Sequence, residues 1–170
     1  MPKGLKETSS LITVGFSASE AVPGTFVQAR TDLQLNPLDN EVFVVLSANL
    51  DGTPPDGVPG LDTITTFALT TTSQTAMPSP ASSATIAFGQ NRIMGASYVD
   101  TGVGFMQGAG ETPATNLDYI AIIATNDFFV QIQGTNNINV KGVSGKLYGY
   151  RARADSSVYA ALVQSEVLSA

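Results

Sequence analysis

The chain has 170 residues, of which 43 % are apolar and only 13 % charged, and its formal net charge is −6. It contains no His, Cys or Trp, which excludes Ser-His-Asp and Cys-His catalysis, His or thiolate metal ligation and disulfides, and removes a common platform for sugar stacking. The acidic balance argues against a surface that wraps nucleic acid.

Residues 1–9 read as an N-terminal arm, with Lys3, Lys6 and Glu7 in solvent or against a partner. The apolar run Leu11 to Phe16 is too short for a signal core or a membrane span and fits a first strand. Ser17 to Gly24 is rich in turn residues and ends in Pro23-Gly24. Thr25 to Leu35 is the next strand and alternates after Phe26: Val27, Ala29, Thr31, Leu33 and Leu35 face one way, and Gln28, Arg30, Asp32 and Gln34 the other. That period of two marks a half-buried strand.

After a turn at Asn36 to Asn40, the nearly continuous apolar run Glu41 to Leu50 predicts a strand buried on both faces. Asp51 to Gly60, dense in Pro and Gly, is an exposed loop. A Thr-rich strand follows over Thr63 to Ser73, then a loop around Met77-Pro-Ser-Pro80, then a strand from Ala84 to Ile93. Ala96 to Val99 reads as a short edge strand, and Gly102 to Pro113 as a Gly-rich loop with Phe105 and Met106 at an apolar tip. Leu117 to Thr125 is a second buried strand, and Asn126-Asp127 a tight turn of hairpin type into Phe128 to Gln133. Val143 to Ala154 is the last long strand.

The period then changes. Behind Asp155 as N-cap, Val158, Ala161, Leu162 and Ser165 share a helical face with Leu168 beside it, predicting a short amphipathic helix over 155–168. No repeat or long linker divides the chain. The expected architecture is all-β: a single eight-stranded jelly-roll β-sandwich or barrel over residues 10–170, closed by the C-terminal helix. An immunoglobulin sandwich would want about seven shorter strands.

Chemistry is thinly spread. Asp51, Asp56 and Asp62 sit around tight turns of the kind calcium favours, but Pro55 and Asp56 occupy positions where an EF-hand places a ligand and its Gly. Gly102 to Gly110 lacks the Lys-Ser/Thr of a phosphate-binding loop. Ser144 and Lys146 share a strand face without any accompanying motif for a Ser-Lys dyad. No cofactor is implied and an enzyme is the least favoured class. Half of the eight basic residues, Lys141, Lys146, Arg151 and Arg153, fall near the end of the chain. Arg151 and Arg153 share a strand face, where they would meet acidic loops of a neighbour, a genome or an anionic lipid layer, or simply water.

A surface so poor in charge is weakly protected against association. The plain alternative is a secreted β-domain, although no Asn-x-Ser/Thr sequon occurs. In its strand number, lack of Cys, Thr- and Asn-rich loops and low charge the chain resembles the single jelly-roll, vertical β-barrel capsid proteins of icosahedral archaeal and bacterial viruses. Leu117 to Gln133 and Lys146 to Arg153 have the look of such proteins. The resemblance implies a non-catalytic coat subunit located in the virion and self-assembling with other coat subunits, above an internal membrane or genome. Lys3, Lys6, Phe105, Met106, Arg151, Arg153, Leu162 and Leu168 are the expected interface residues. The rival readings are a carbohydrate- or receptor-binding module of fibre-tip or lectin type, with Tyr98, Tyr119, Tyr148 and Tyr150 available for stacking, and a cell-surface or filament subunit.

Overall fold

The computed structural model describes residues 2–96, 99, 102–107 and 117–169, with the backbone alone at 105–107. Ten strands and one α-helix occur among them: β1 (Leu5–Glu7), β2 (Ile12–Ser19), β3 (Val27–Asp32), β4 (Glu41–Gly52), β5 (Thr63–Thr70), β6 (Thr85–Met94), β7 (Val103–Gln107), β8 (Ala121–Ile123), β9 (Asp127–Thr135), β10 (Gly142–Ala154) and α1 (Ser156–Leu168). One sheet runs β2-β10-β4-β8, with β1 also on β10, and the other runs β3-β9-β5-β6-β7. Every pairing is antiparallel.

From β2 to β5 the chain changes sheet at each link, and it does so again from β7 to β10. This interleaving produces the two four-stranded orders β2-β10-β4-β8 and β3-β9-β5-β6 of a jelly roll. β1 and β7 extend that frame.

The inward alternation of both sheets builds the main core, which includes Phe16, Phe43, Phe67, Leu69, Phe128, Val130, Ile132 and Leu147. Phe16 from one sheet meets Phe128 from the other edge-to-face, with ring centres 5.8 Å apart, an arrangement that adds to the burial of the two rings. β10 approaches so closely that a Cβ at Gly149 would run into the carbonyl of Val44 and the ring of Phe43.

A second core lies on the outer face of the first sheet. There Val42, Val44, Ala152 and Ala154 are covered by Leu5 and by Val158, Tyr159, Leu162 and Val163 of α1. This explains why the Glu41 to Leu50 run is apolar on both faces: one side meets the facing sheet and the other the helix.

Several expectations are corrected. Residues 5–7 of the expected arm are an edge strand, with Leu5 opposite Ala154 and Glu7 opposite Ala152. The register continues through Thr8, whose N–H donates to Arg151 O at 2.9 Å. Residues 103–107 are not a loop tip but a strand on β6, placing Phe105 opposite Arg92 and Met106 opposite Asn91. Gly102, at φ +78°, permits the return, since a Cβ there would strike the carbonyl of Met94. The turn at Asn126 closes no hairpin, because β8 and β9 belong to different sheets; its backbone and side-chain oxygens instead accept from the N–H groups of Leu33 and Leu35. The 25–35 strand ends at Asp32, before the left-handed Gln34. Residues 97 and 98 of the expected 96–99 strand, Tyr98 among them, lie outside the described residues, as do the side chains of Phe105 and Met106.

Candidate functional site

The residues singled out by sequence fall at three places. The first is the end of the sandwich where the β2–β3, β4–β5, β6–β7 and β9–β10 links meet. Asp56, in the β4–β5 link, accepts from the N–H groups of Ile138 and Asn139 at 3.0 and 2.8 Å and from Lys141 Nζ at 2.8 Å. Lys141 is only 3 % exposed. Its hydrogen bond, then the Asn139 N–H, hold the Asp56 carboxyl at a pKa of about 2 against the opposing effect of burial.

The buried Glu20 takes the Lys141 N–H at 2.9 Å, and Asp62 receives the N–H groups of Gly95 and Ala96, both at 2.9 Å. These carboxylates therefore stitch loops together. Asp51, Asp56 and Asp62 do not converge, and among the described residues no three acidic side chains are grouped to hold an ion.

The second place is the opposite end, which carries α1. Arg151 is half-buried and turns inward, donating from Nη2 to Leu33 O at 3.1 Å. Arg153 is exposed and pairs with Asp39 at 3.1 Å. Lys3 and Lys6 are exposed there too. The anticipated basic cluster is dispersed: Lys141 is consumed at the far end, and Lys146 points outward from the sheet face.

Leu162, expected at an interface between subunits, packs within the second core, because α1 folds back on its own sheet. Leu168 stays 77 % exposed. The buried helix face is Val158, Tyr159, Leu162, Val163 and Glu166, while Ala161 and Ser165 are exposed. Glu166 is a functional side chain that the sequence reading passes over. Its two carboxylate oxygens take the N–H groups of Ala124 and Thr125 at 2.7 and 2.9 Å, fastening the helix to the end of β8. An acid in the last turn of a helix opposes the macrodipole, and that misfit is the sequence signal for a specific partner.

The third place is the uncovered half of the outer face of the first sheet. Thr13, Gly15, Ser17 and Ser19 of β2, Ser144 and Lys146 of β10, and Ser47 and Asn49 of β4 are small or polar and mostly exposed. Ser144 and Lys146 are both exposed here and no hydrogen bond joins their side chains, so no dyad forms. A shallow depression of about 320 Å³ is lined by Asn49, Leu50, Asp51, Gly145, Lys146 and Tyr148. Tyr150 lies further along β10 in the second core, where burial, reinforced by Glu7 and Asp118, raises its pKa.

No family model and no curated protein matches the chain. Among solved structures it is similar to one from Desmodium yellow mottle tymovirus, with 12 % identity over 92 % of this chain and 96 % of that one, at a TM-score of 0.34. A likeness this distant assigns neither a function nor a partner.

Proposed function

We propose that the chain is a structural coat subunit that assembles with copies of itself into a virion-type shell. The observation that carries this reading is the set of aliphatic side chains held in water at both ends of the jelly roll. Leu38 is 93 % exposed on a short 3-10 turn built by Asn36, whose side chain accepts the Leu38 N–H and donates to Asp39. Val22, Ile138 and Val140 are exposed at the opposite end, and Leu168 on the helix. A fold assigns no function alone, but exposed apolar groups on rigid supports, amid few charges, are surfaces for association.

Light scattering of the purified chain across concentration and salt, followed by electron microscopy, tests this. Closed oligomers or shells are expected. A monomer under every condition would remove the coat reading.

A saccharide-binding module is the second reading, favoured by the Tyr148 depression. There the side chains of Asn49, Asp51 and Lys146 make no hydrogen bond or ion pair among the described residues and surround an aromatic ring, a donor set suited to sugar hydroxyls and a C–H face. Binding on a glycan array that is lost in Tyr148→Ala would move the assignment there.

A further inference from the structure

Sheet edges in water normally carry protection, such as charge, Pro, a bulge, shortness or a cover. Besides β7, a five-residue edge on the second sheet, four described edges can be compared. β8 is three residues long, and the chain just beyond it is held by Glu166 of α1. β3 carries Arg30 and Asp32, and its Gln28 is tied to Ser73, Gln74 and Gln131. β1 presents Lys6 and Glu7.

β2 has none of this. Ile12 to Ser19 is eight residues without a charge or a Pro, its register with β10 runs unbroken from Gly149↔Ile12 to Gly142↔Ser19, and among the described residues no strand pairs with its other side. The seam beside it is incompletely closed, too. Ile12 and Val14 point toward the main core yet remain partly exposed, as do Val27 and Ala29 on β3 across the gap, and the adjacent Leu11 is exposed.

We infer that β2 is the edge by which two copies of this chain join, antiparallel across a two-fold axis, so that the first sheet continues from one subunit into the next. This rests on the coat reading and names one of its contacts. A second copy fits for three reasons. An antiparallel strand edge is complementary to itself, donor against acceptor, under a two-fold rotation. The edge is uncharged, so two chains of net charge −6 meet where neither brings a charge. A strand added there also covers Leu11, Ile12 and Val14, which the monomer leaves part-wetted. The axis falls at Gly15, mid-strand and with open space where a Cβ would stand, so the residue that must face its own copy has no side chain to collide. Thr13 then lies opposite Ser17 of the second copy, on the exposed outer face.

The test uses the full chain and two double variants, with mass measured by light scattering and sedimentation and folding checked by circular dichroism and Tm. Thr13 and Ser17 are exposed, so T13K/S17K should fold like the wild type while placing like charges opposite one another twice, weakening self-association by roughly tenfold or more. T13K/S17E places opposite charges in the same pairs and should restore association. Wild-type assembly that T13K/S17K leaves unchanged, or that both variants weaken equally, overturns the edge pairing and leaves the coat reading standing. A wild type that never associates removes the coat reading itself.

Discussion

At the scale of single residues, two carboxylates tie separate parts of the chain together. Asp56 holds its loop to the β9–β10 link through a lysine 85 positions away. Because its folded pKa of about 2 lies below the ordinary value of 3.8, the carboxylate contributes stability above about pH 4, and that contribution disappears as pH falls toward 2. Asp56→Asn should lower stability at pH 7 by about 1–2 kcal/mol and flatten this part of the acid-unfolding limb, read from urea midpoints between pH 2 and 7. Equal acid dependence in both proteins would show that Asp56 does not carry it. Glu166 is the parallel case. Glu166→Gln keeps the shape but leaves one oxygen, uncharged, for two N–H donors, and should cost about 1–3 kcal/mol in the same assay. Neither partner is legible in sequence, although the acid in the last helical turn is a signal that Glu166 has one. Asp56 looks like a companion of Asp51 and Asp62 because they are near in the chain, whereas its partner is set only by the fold. Glu166 looks like a solvated helix residue.

At the scale of elements, the strands with clear alternation or long apolar runs are legible, since period and burial speak directly for them. The helix is legible in its position but not in its face. Its sequence, SSVYAALVQSEVL, mixes small and apolar residues around the whole circumference, so no narrow stripe selects one face over another. The first nine residues look like an arm because they are polar and short, yet one side chain decides otherwise: Leu5 fills the second core between Ala154 and α1. Leu5→Ala should therefore cost about 2–4 kcal/mol, in the range for a buried Leu truncation, and deletion of residues 2–9 should lower Tm as well as any association. Calorimetry of both proteins decides this. A deletion that weakens assembly at unchanged Tm would return the segment to the role of a free arm.

At the scale of the molecule, the eight strands of the jelly-roll frame and the fold class are legible, but the added β1 and β7 and the path between sheets are not. Asn126-Asp127 has the composition of a hairpin turn, and only the pairing of β8 with β4 and of β9 with β3 and β5 shows that it crosses the sandwich. The same global view bears on how copies would meet. Every copy carries −6, so approach is opposed by repulsion that reaches about 30 Å at 0.01 M salt and about 8 Å at 0.15 M. The surfaces proposed to join are the uncharged β2 edge and aliphatic tips, so salt has little attraction there to screen. Association should strengthen as salt rises through this range, seen as a growing weight-average mass at fixed protein concentration. Contacts built instead on Lys3, Lys6 and Arg153 against acidic loops would be screened, and the mass would fall. The sign of the salt dependence thus decides whether self-association of this chain rests on its bare edges and apolar ends or on the few charges it carries.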